Sequence, residues 1–221
     1  MEPLFKSLVV GLVPQPRQVP PAPFEKEELQ RVFFDVNRVR PYSQFAFLPA
    51  DSGAQMNNGL EDRILITPGL LQVVIPVSLT SERAREASAD VLRAIVERLK
   101  LEQYIQCGIK VVAHAAAPGE RPDARAFVAE QLMIGGDRAA ELGPDFFGGG
   151  VKFRRIIEGR HVGEGGEANL LIEPFVADNQ YIWIDYDIQR IGGFDDLDDV
   201  SEWVDDAFGF VKGPVMALLE A

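Results

Sequence analysis

The chain has 221 residues, of which 34 are acidic and 22 are basic, so its formal net charge is −12 at pH 7. This charge argues against non-specific nucleic-acid binding, which needs clustered lysine and arginine, and against docking on anionic lipid. Hydrophobic residues make up 47% of the chain and charged residues 25%, which is typical of a globular domain. We therefore expect one domain over residues 1–221, with neither nucleic-acid nor membrane partners.

The counts of cysteine and histidine exclude several kinds of site. Cys107 is the only cysteine, so neither an intrachain disulfide nor a multi-cysteine zinc cluster can form. His114 and His161 lie far apart and form no HExxH pair, so we predict no metal and no cofactor. The apolar run 8–13 is too short to span a membrane and too weakly flanked for a signal peptide, which favours a cytoplasmic location.

The first third of the chain is predicted to consist of strands and turns. Five prolines within residues 14–23 predict an extended, polyproline-like connector after an apolar first strand. Val32, Phe34 and Val36 alternate with polar residues and with Phe33, which predicts a strand over 29–39. The other predicted elements are a strand over 4–13, a strand over 44–48, turns over 51–59, and strands over 63–66 and 71–77 that flank Thr67-Pro68-Gly69 as a hairpin.

The clearest helix spans residues 81–101, where small and apolar residues recur at helical spacing and Thr80 or Ser81 can cap the first turn. Beyond it, alternation predicts strands in which Cys107 and the even-numbered residues of 182–188 point into a core. The predicted elements are strands over 105–113, 151–158, 168–177 and 181–189, a helix over 123–142 and a last helix over 197–211 that ends at Gly213-Pro214.

The two halves of the chain repeat one order of predicted elements, three strands followed by a helix. The repeats cover about 29–114 and 150–212, and the strand around 34–39 would correspond to the one at 151–156. The predicted fold class is therefore α+β, a duplicated β-β-β-α unit with antiparallel sheets and helices packed on one side. Ligands of such proteins often bind between the halves.

The last third of the chain resembles the C-terminal part of a sporadically distributed bacterial protein family of about this length. The resemblance rests on residues 183–187 (Trp-Ile-Asp-Tyr-Asp), on the strand at 151–156 and on an acidic helix. The helix residues that carry the resemblance are Asp198, Val200, Trp203, Val204, Ala207 and Phe208. The family has no established activity, so the resemblance implies no functional residue.

Two carboxylates and one histidine are the candidate catalytic residues. Asp185 and Asp187 share one face of a strand with Trp183, where they could hold a metal or share a proton, or simply form a solvated face. His114 follows a strand and could act as a general base if a carboxylate reached it. The chain has no GxSxG nucleophile motif.

Basic residues concentrate on one predicted strand. Lys152 and Arg154 share a face of this strand and are, with Trp183, the candidate ligand-binding residues, while Arg155 points the other way. These bases could receive an acidic ligand, or they could pair with the acidic last helix of the same or a neighbouring chain. Residues 141–221 carry 17 acidic and 6 basic side chains, so the acidity of the protein is concentrated in this part.

The leading functional hypothesis is a non-enzymatic binding or assembly module. It would act as a homo-oligomer, or on a protein partner, through exposed strand edges or through the acidic last helix. The alternative is a small-molecule-binding protein or a hydrolase-like enzyme, with a cleft between the two halves lined by the candidate residues. A perturbed Asp185 or His114 inside a closed cleft would favour the enzyme.

Overall fold

The computed structural model describes residues 2–16, 21–49, 52–59, 61–77, 80–119, 122–133, 149–159 and 164–220. The strands are β1 (Leu4–Pro14), β2 (Gln44–Phe47), β3 (Ala54–Asn57), β4 (Arg63–Thr67), β5 (Leu70–Pro76), β6 (Tyr104–Ala116), β7 (Val151–Glu158), β8 (Gly165–Pro174) and β9 (Tyr181–Phe194). The helices are α1 (Lys26–Val39), α2 (Ser81–Leu99), α3 (Ala124–Phe127), α4 (Leu197–Phe210) and α5 (Met216–Glu220).

All nine strands belong to one sheet, in the order β2-β3-β4-β5-β1-β6-β9-β8-β7, and every neighbouring pair is antiparallel. The two central strands, β1 and β6, pair over almost their whole length, from Leu4 beside His114 to Pro14 beside Tyr104. The predicted α+β class is confirmed, with one continuous sheet where several sheets were expected.

The sheet has one buried face because its strands alternate apolar and polar residues. In β1, Leu8, Val10 and Leu12 are fully buried on the side that packs against the helices, which we call the helix face. The opposite side, which we call the open face, carries Val9, Lys110 and their register neighbours. In β9 the even-numbered residues 182–188 are buried and Trp183, Asp185 and Asp187 lie on the open face, as the alternation predicted.

The long helices pack on the helix face and on one another. Thr80 caps α2 by accepting a hydrogen bond from the backbone N–H of Arg83, and the predicted apolar stripe of this helix is buried. Helix α4 packs beside α2, where Arg85 forms a 2.7 Å ion pair with Asp205. In the described part of the chain, every helix is too short or too polar to cross a lipid bilayer.

The strand predicted over residues 29–39 is wrong, because this segment is helix α1. Its buried residues are Leu29, Val32 and Val36, which are spaced three and four apart as a helix requires. Phe34, which the alternation had placed in the core beside Val32, is 62% exposed. The spacing of two between Val32, Phe34 and Val36, which are residue types common in strands, had favoured a strand over a helix.

The turn predicted over residues 51–59 contains a strand that was not predicted, β3, which pairs with β2 and β4. Only four residues long, it lies between Gly53 and Gly59, both of which have positive φ. Ala54 and Met56 are fully buried on its inner face. The turn residues on both sides had masked this short alternation.

Two helix predictions also need correction. Gly213-Pro214 does not end the last helix: the chain continues through a π-helical turn, Val211–Val215, into α5. Val211, Val215 and Leu219 are buried, and this apolar stripe keeps the chain on the sheet. The helix predicted over 123–142 appears as α3 and a second π-helical turn, Val128–Leu132, while residues 134–148 of that prediction lie outside the described part.

The repeat of β-β-β-α units is not confirmed in its predicted form. Residues 29–39, the first strand of the first unit, are helical, so the predicted correspondence with 151–156 is wrong. The later correspondences, of β4 with β8, β5 with β9 and α2 with α4, agree with the element order of the structure.

Candidate functional site

The six candidate residues of the sequence all lie on the open face of the second half. His114 is the register partner of Trp183, and Asp187 and Arg154 both flank Asn169 in one row across the sheet. Asp185 and Lys152 likewise both flank Leu171. The surface that the sequence predicted is therefore contiguous, but it is a sheet face, and within the described residues β1 and β6 pair where a cleft between the halves was expected.

The two candidate carboxylates are each bound to a different partner. Lys110 Nζ lies 2.6 Å from Asp185 Oδ2, and only 17% of the Asp185 side chain is exposed. Asp187 Oδ1 accepts a 2.8 Å hydrogen bond from Gln189 Nε2. The two residues therefore form separate polar contacts, an ion pair and an amide contact.

His114 is buried in an aromatic pocket at the end of the central strand. Its ring lies 4.2 Å from that of Phe175 and 5.1 Å from that of Trp183, with Tyr181 on the outside. Nε2 is buried without a hydrogen-bond partner, and no carboxylate reaches it among the described residues. Burial and the nearby Lys6 ammonium lower the pKa of His114, because both disfavour the imidazolium.

We expect His114 to make the protein less stable in mild acid. As the pH falls, the imidazole of the unfolded chain, with its ordinary pKa of 6.5, takes up a proton before the buried imidazole does. The unfolded state then binds more protons, so the free energy of unfolding falls below about pH 6.5. Urea denaturation at several pH values should show this loss in the wild type and a smaller loss in His114→Phe. Equal losses in the two proteins would contradict the assignment.

Cys107 lies in the core of the central strand, 1% exposed. Burial raises the pKa of its thiol to about 12, which leaves almost no thiolate at neutral pH. A role for this cysteine as nucleophile or metal ligand is therefore disfavoured by its surroundings.

β7 is the longer of the two edge strands of the sheet, and most of its residues are exposed. β7 is the last strand in the sheet and pairs only with β8, so the other side of its backbone has no strand partner in the described part of the chain. All eight of its residues pair with β8, across from Gly165 to Ile172, yet six of the eight are exposed. Phe153 on the helix face is 44% exposed and Ile156 on the open face is 65% exposed.

The bases of β7 are only partly neutralised within the chain. Arg154 forms an ion pair with Glu167 of β8. A hydrogen bond from Asn169, the contact with Arg154 and the nearby Lys152 ammonium lower the pKa of the Glu167 carboxyl. Lys152 and Arg155 form neither an ion pair nor a hydrogen bond with any described residue. Arg160, a further base shortly after the predicted strand, lies outside the described residues.

The acidic residues of the last helix, α4, form ion pairs with α2 and not with β7. Asp205 and Asp198 of α4 pair with Arg85 and Arg93 of α2, at 2.7 and 3.6 Å. Asp196 caps α4 by accepting a hydrogen bond from the backbone N–H of Asp198. The predicted pairing of the β7 bases with this helix is therefore absent within the described chain, and β7 keeps a surplus of positive charge on an acidic protein.

The bases of β7 are evident in the sequence, but the position of β7 at the edge of the sheet was not predicted. The alternation of Lys152, Arg154 and Ile156 with Phe153 and Arg155 was visible, and exposed charge on both faces is a sign of an edge strand. Arg190 was missed altogether, although an arginine at an otherwise apolar position of β9 was a visible signal.

No protein-family model matches the chain, and no curated protein matches it. The resemblance of the last third to a bacterial family therefore stays a prediction.

Proposed function

We propose that this protein is a non-enzymatic binding module that recruits an extended, acidic segment of another protein. The segment would add to the sheet as a tenth strand beside β7, with its backbone paired to the outer edge of that strand. The observation that carries this proposal is an eight-residue edge strand with two exposed apolar side chains and two unpaired bases.

Backbone geometry supplies the affinity in this mode of binding. Alternate N–H and C=O groups of an edge strand point away from the sheet, and a second extended chain can satisfy them in register. Phe153 and Ile156 give such a chain one apolar contact on each face of the sheet. Strand addition therefore needs no closed pocket, in agreement with the flat open face.

Charge gives the partner its chemistry. Lys152 and Arg154 stand two residues apart on the open face, where an added strand would place alternate residues opposite them. Acidic residues at every second position of the partner would pair with both bases. Arg155 favours a further acidic residue on the helix face.

The same charges disfavour β7 as its own partner. An antiparallel pairing of two copies centred on Arg154 places Arg154 opposite Arg154, and a shift of the centre by one residue in one direction places Arg155 opposite Arg155. The opposite shift places Lys152 opposite Arg154. Like charges directly opposite each other destabilise a strand pair, so the proposal favours a different chain over the homo-oligomer that the sequence predicted.

Binding of model peptides tests the proposal. We expect a labelled eight-residue peptide that alternates glutamate with valine to bind in a fluorescence-anisotropy titration, and its lysine–valine counterpart not to bind. The double variant Lys152→Glu, Arg154→Glu should weaken binding about tenfold or more, because both side chains lie on the open face opposite the glutamates of the peptide and two attractions become repulsions. N-methylation of alternate peptide nitrogens should abolish binding, since it removes the strand hydrogen bonds.

The matched control is Arg31→Glu, Arg83→Glu, which makes the same change of net charge at exposed positions of α1 and α2. It should bind the acidic peptide nearly as well as the wild type. Equal weakening by the control variant, or unchanged binding of the N-methylated peptide, would reduce the interaction to general charge attraction and overturn the proposal. A different outcome in sedimentation is a dimer at micromolar concentration for the wild type and a monomer for the β7 variant. That result would replace the strand-addition proposal with assembly of a homo-oligomer.

We also infer that the chain is a duplication with different bounds from those predicted. Outward from the centre, β1, β5, β4 and β3 on one side correspond to β6, β9, β8 and β7 on the other. In each set the chain begins with a central strand and then forms a helix. The following strands are added from the edge of the sheet towards its centre, and a helix that packs on the sheet comes last. Superposing the two sets in that order in an experimental structure tests the duplication, and strands that fail to align in order would reject it.

A further inference from the structure

A cleft of about 360 Å³ lies on the helix face, where the end of β9 passes under the first turns of α4. Its walls are the ends of β7 and β8, Glu164 packs against Gly192 at one side, and Gly193 leaves room because it carries no side chain. This volume is at the lower end of the range for small-molecule sites. The cleft is separate from the outer edge of β7.

Arg190 is the basic residue that lines the cleft, on the side formed by the sheet. It lies on the helix face of β9, between Cys107 of β6 and Gly166 of β8, and its guanidinium stacks 4.6 Å from the ring centroid of Trp203. Its Nε is buried and has no hydrogen-bond partner. A buried donor without an acceptor is costly, so this side chain is suited to receiving an anionic group.

Carboxylates line the outer side of the same cleft. Glu158, Asp199 and Glu202 are exposed there, and none of them forms an ion pair with Arg190 or with any other described residue. The guanidinium and the carboxylates therefore stand apart across an open space. A ligand with an anionic end and a cationic end can bridge that space.

We propose that this cleft binds a free α-amino acid with an apolar side chain. The ligand carboxylate would bind the Arg190 guanidinium and the ligand ammonium would face Asp199 and Glu202. Trp203 and Phe194 supply the apolar wall for the side chain. A simple anion would meet the four carboxylates that line the cleft, Glu158, Glu164, Asp199 and Glu202, and a simple cation would leave the buried Nε of Arg190 without an acceptor, so the charge pattern selects a zwitterion.

Calorimetric titration with L-leucine and L-phenylalanine tests the site. We expect both to bind, and we expect neither L-phenylalaninamide, which lacks the carboxylate, nor N-acetyl-L-phenylalanine, which lacks the ammonium, to do so. Arg190→Gln and Glu202→Gln should each weaken binding about ten- to hundredfold, since each removes a charge-assisted contact. Glu202 is exposed, so its variant keeps the test valid if Arg190→Gln disturbs the core.

The controls are Arg31→Gln and Glu27→Gln, at exposed positions of α1, a helix that packs on α2 and lines no part of the cleft, and both should bind like the wild type. The proposal is overturned if neither amino acid binds up to about 10 mM, a weak limit for any ligand of physiological use. It is equally overturned if the two blocked analogues bind as well as the free amino acids, or if Glu202→Gln binds normally. The β7 peptide assay is independent of all these outcomes.

Discussion

Replacing Leu12 with alanine is expected to lower the free energy of unfolding by about 3 kcal/mol. Leu12 is fully buried at the middle of the sheet, with Leu71 of β5 on one side and Cys107 of β6 on the other. The neighbouring strands are fixed by their hydrogen bonds, so they cannot close the cavity that the lost side chain leaves. Urea denaturation followed by circular dichroism measures the effect.

Val13→Ala is the matched control, because Val13 follows Leu12 in the same strand but lies on the open face and is only partly buried. We expect it to cost about 1 kcal/mol, since water already reaches part of this side chain. Equal effects of the two substitutions would mean that the open face is covered as closely as the helix face, contrary to the fold described above.

The substitution Gly166→Ala should also destabilise the protein strongly, by about 3 kcal/mol. A Cβ at this position would lie 2.0 Å from the backbone carbonyl oxygen of Gln189 in β9. A backbone atom in a paired strand cannot rotate away as a side chain can. The strands β8 and β9 would have to separate locally, and thermal or urea unfolding should reveal the loss.

Gly209→Ala provides the comparison within the same half of the chain. Gly209 lies in α4, is exposed, and has no atom within 4 Å of the position that a Cβ would occupy. Alanine there should raise the free energy of unfolding by roughly 0.5 to 1 kcal/mol, because glycine is a poor helix former. A stable Gly166→Ala protein would show that β8 and β9 are not held at the described spacing.

The sequence allowed the long elements to be predicted because their periods are repeated many times. Helix α2 shows its buried stripe over five turns, and β9 alternates from Ile182 to Ile188 without a break. Helix α1 failed because Val32, Phe34 and Val36 mimic a strand over only five residues. Packing against α2 decided between the two periods, and that contact is not visible in the local sequence.

The candidate sites show the same division between local and long-range information. The shared strand face of Trp183, Asp185 and Asp187 followed from alternation alone. The Lys110–Asp185 ion pair joins residues far apart in sequence, because β6 pairs with β9, so no spacing rule could reveal it. The edge position of β7 likewise depends on the order of all nine strands.

The central pairing of β1 with β6 also sets the order in which the fold can be completed. Gly11 and its register partner Gly108 are separated by about 100 residues, a distance that makes the pairing slow to form. A chain growing from its N-terminus completes β5, the other neighbour of β1, about 40 residues before it completes β6. Throughout that interval β1, which lies at the centre of the finished sheet, has no strand partner on one side. The growing chain is therefore most exposed to misassembly at the place where the finished protein is most protected.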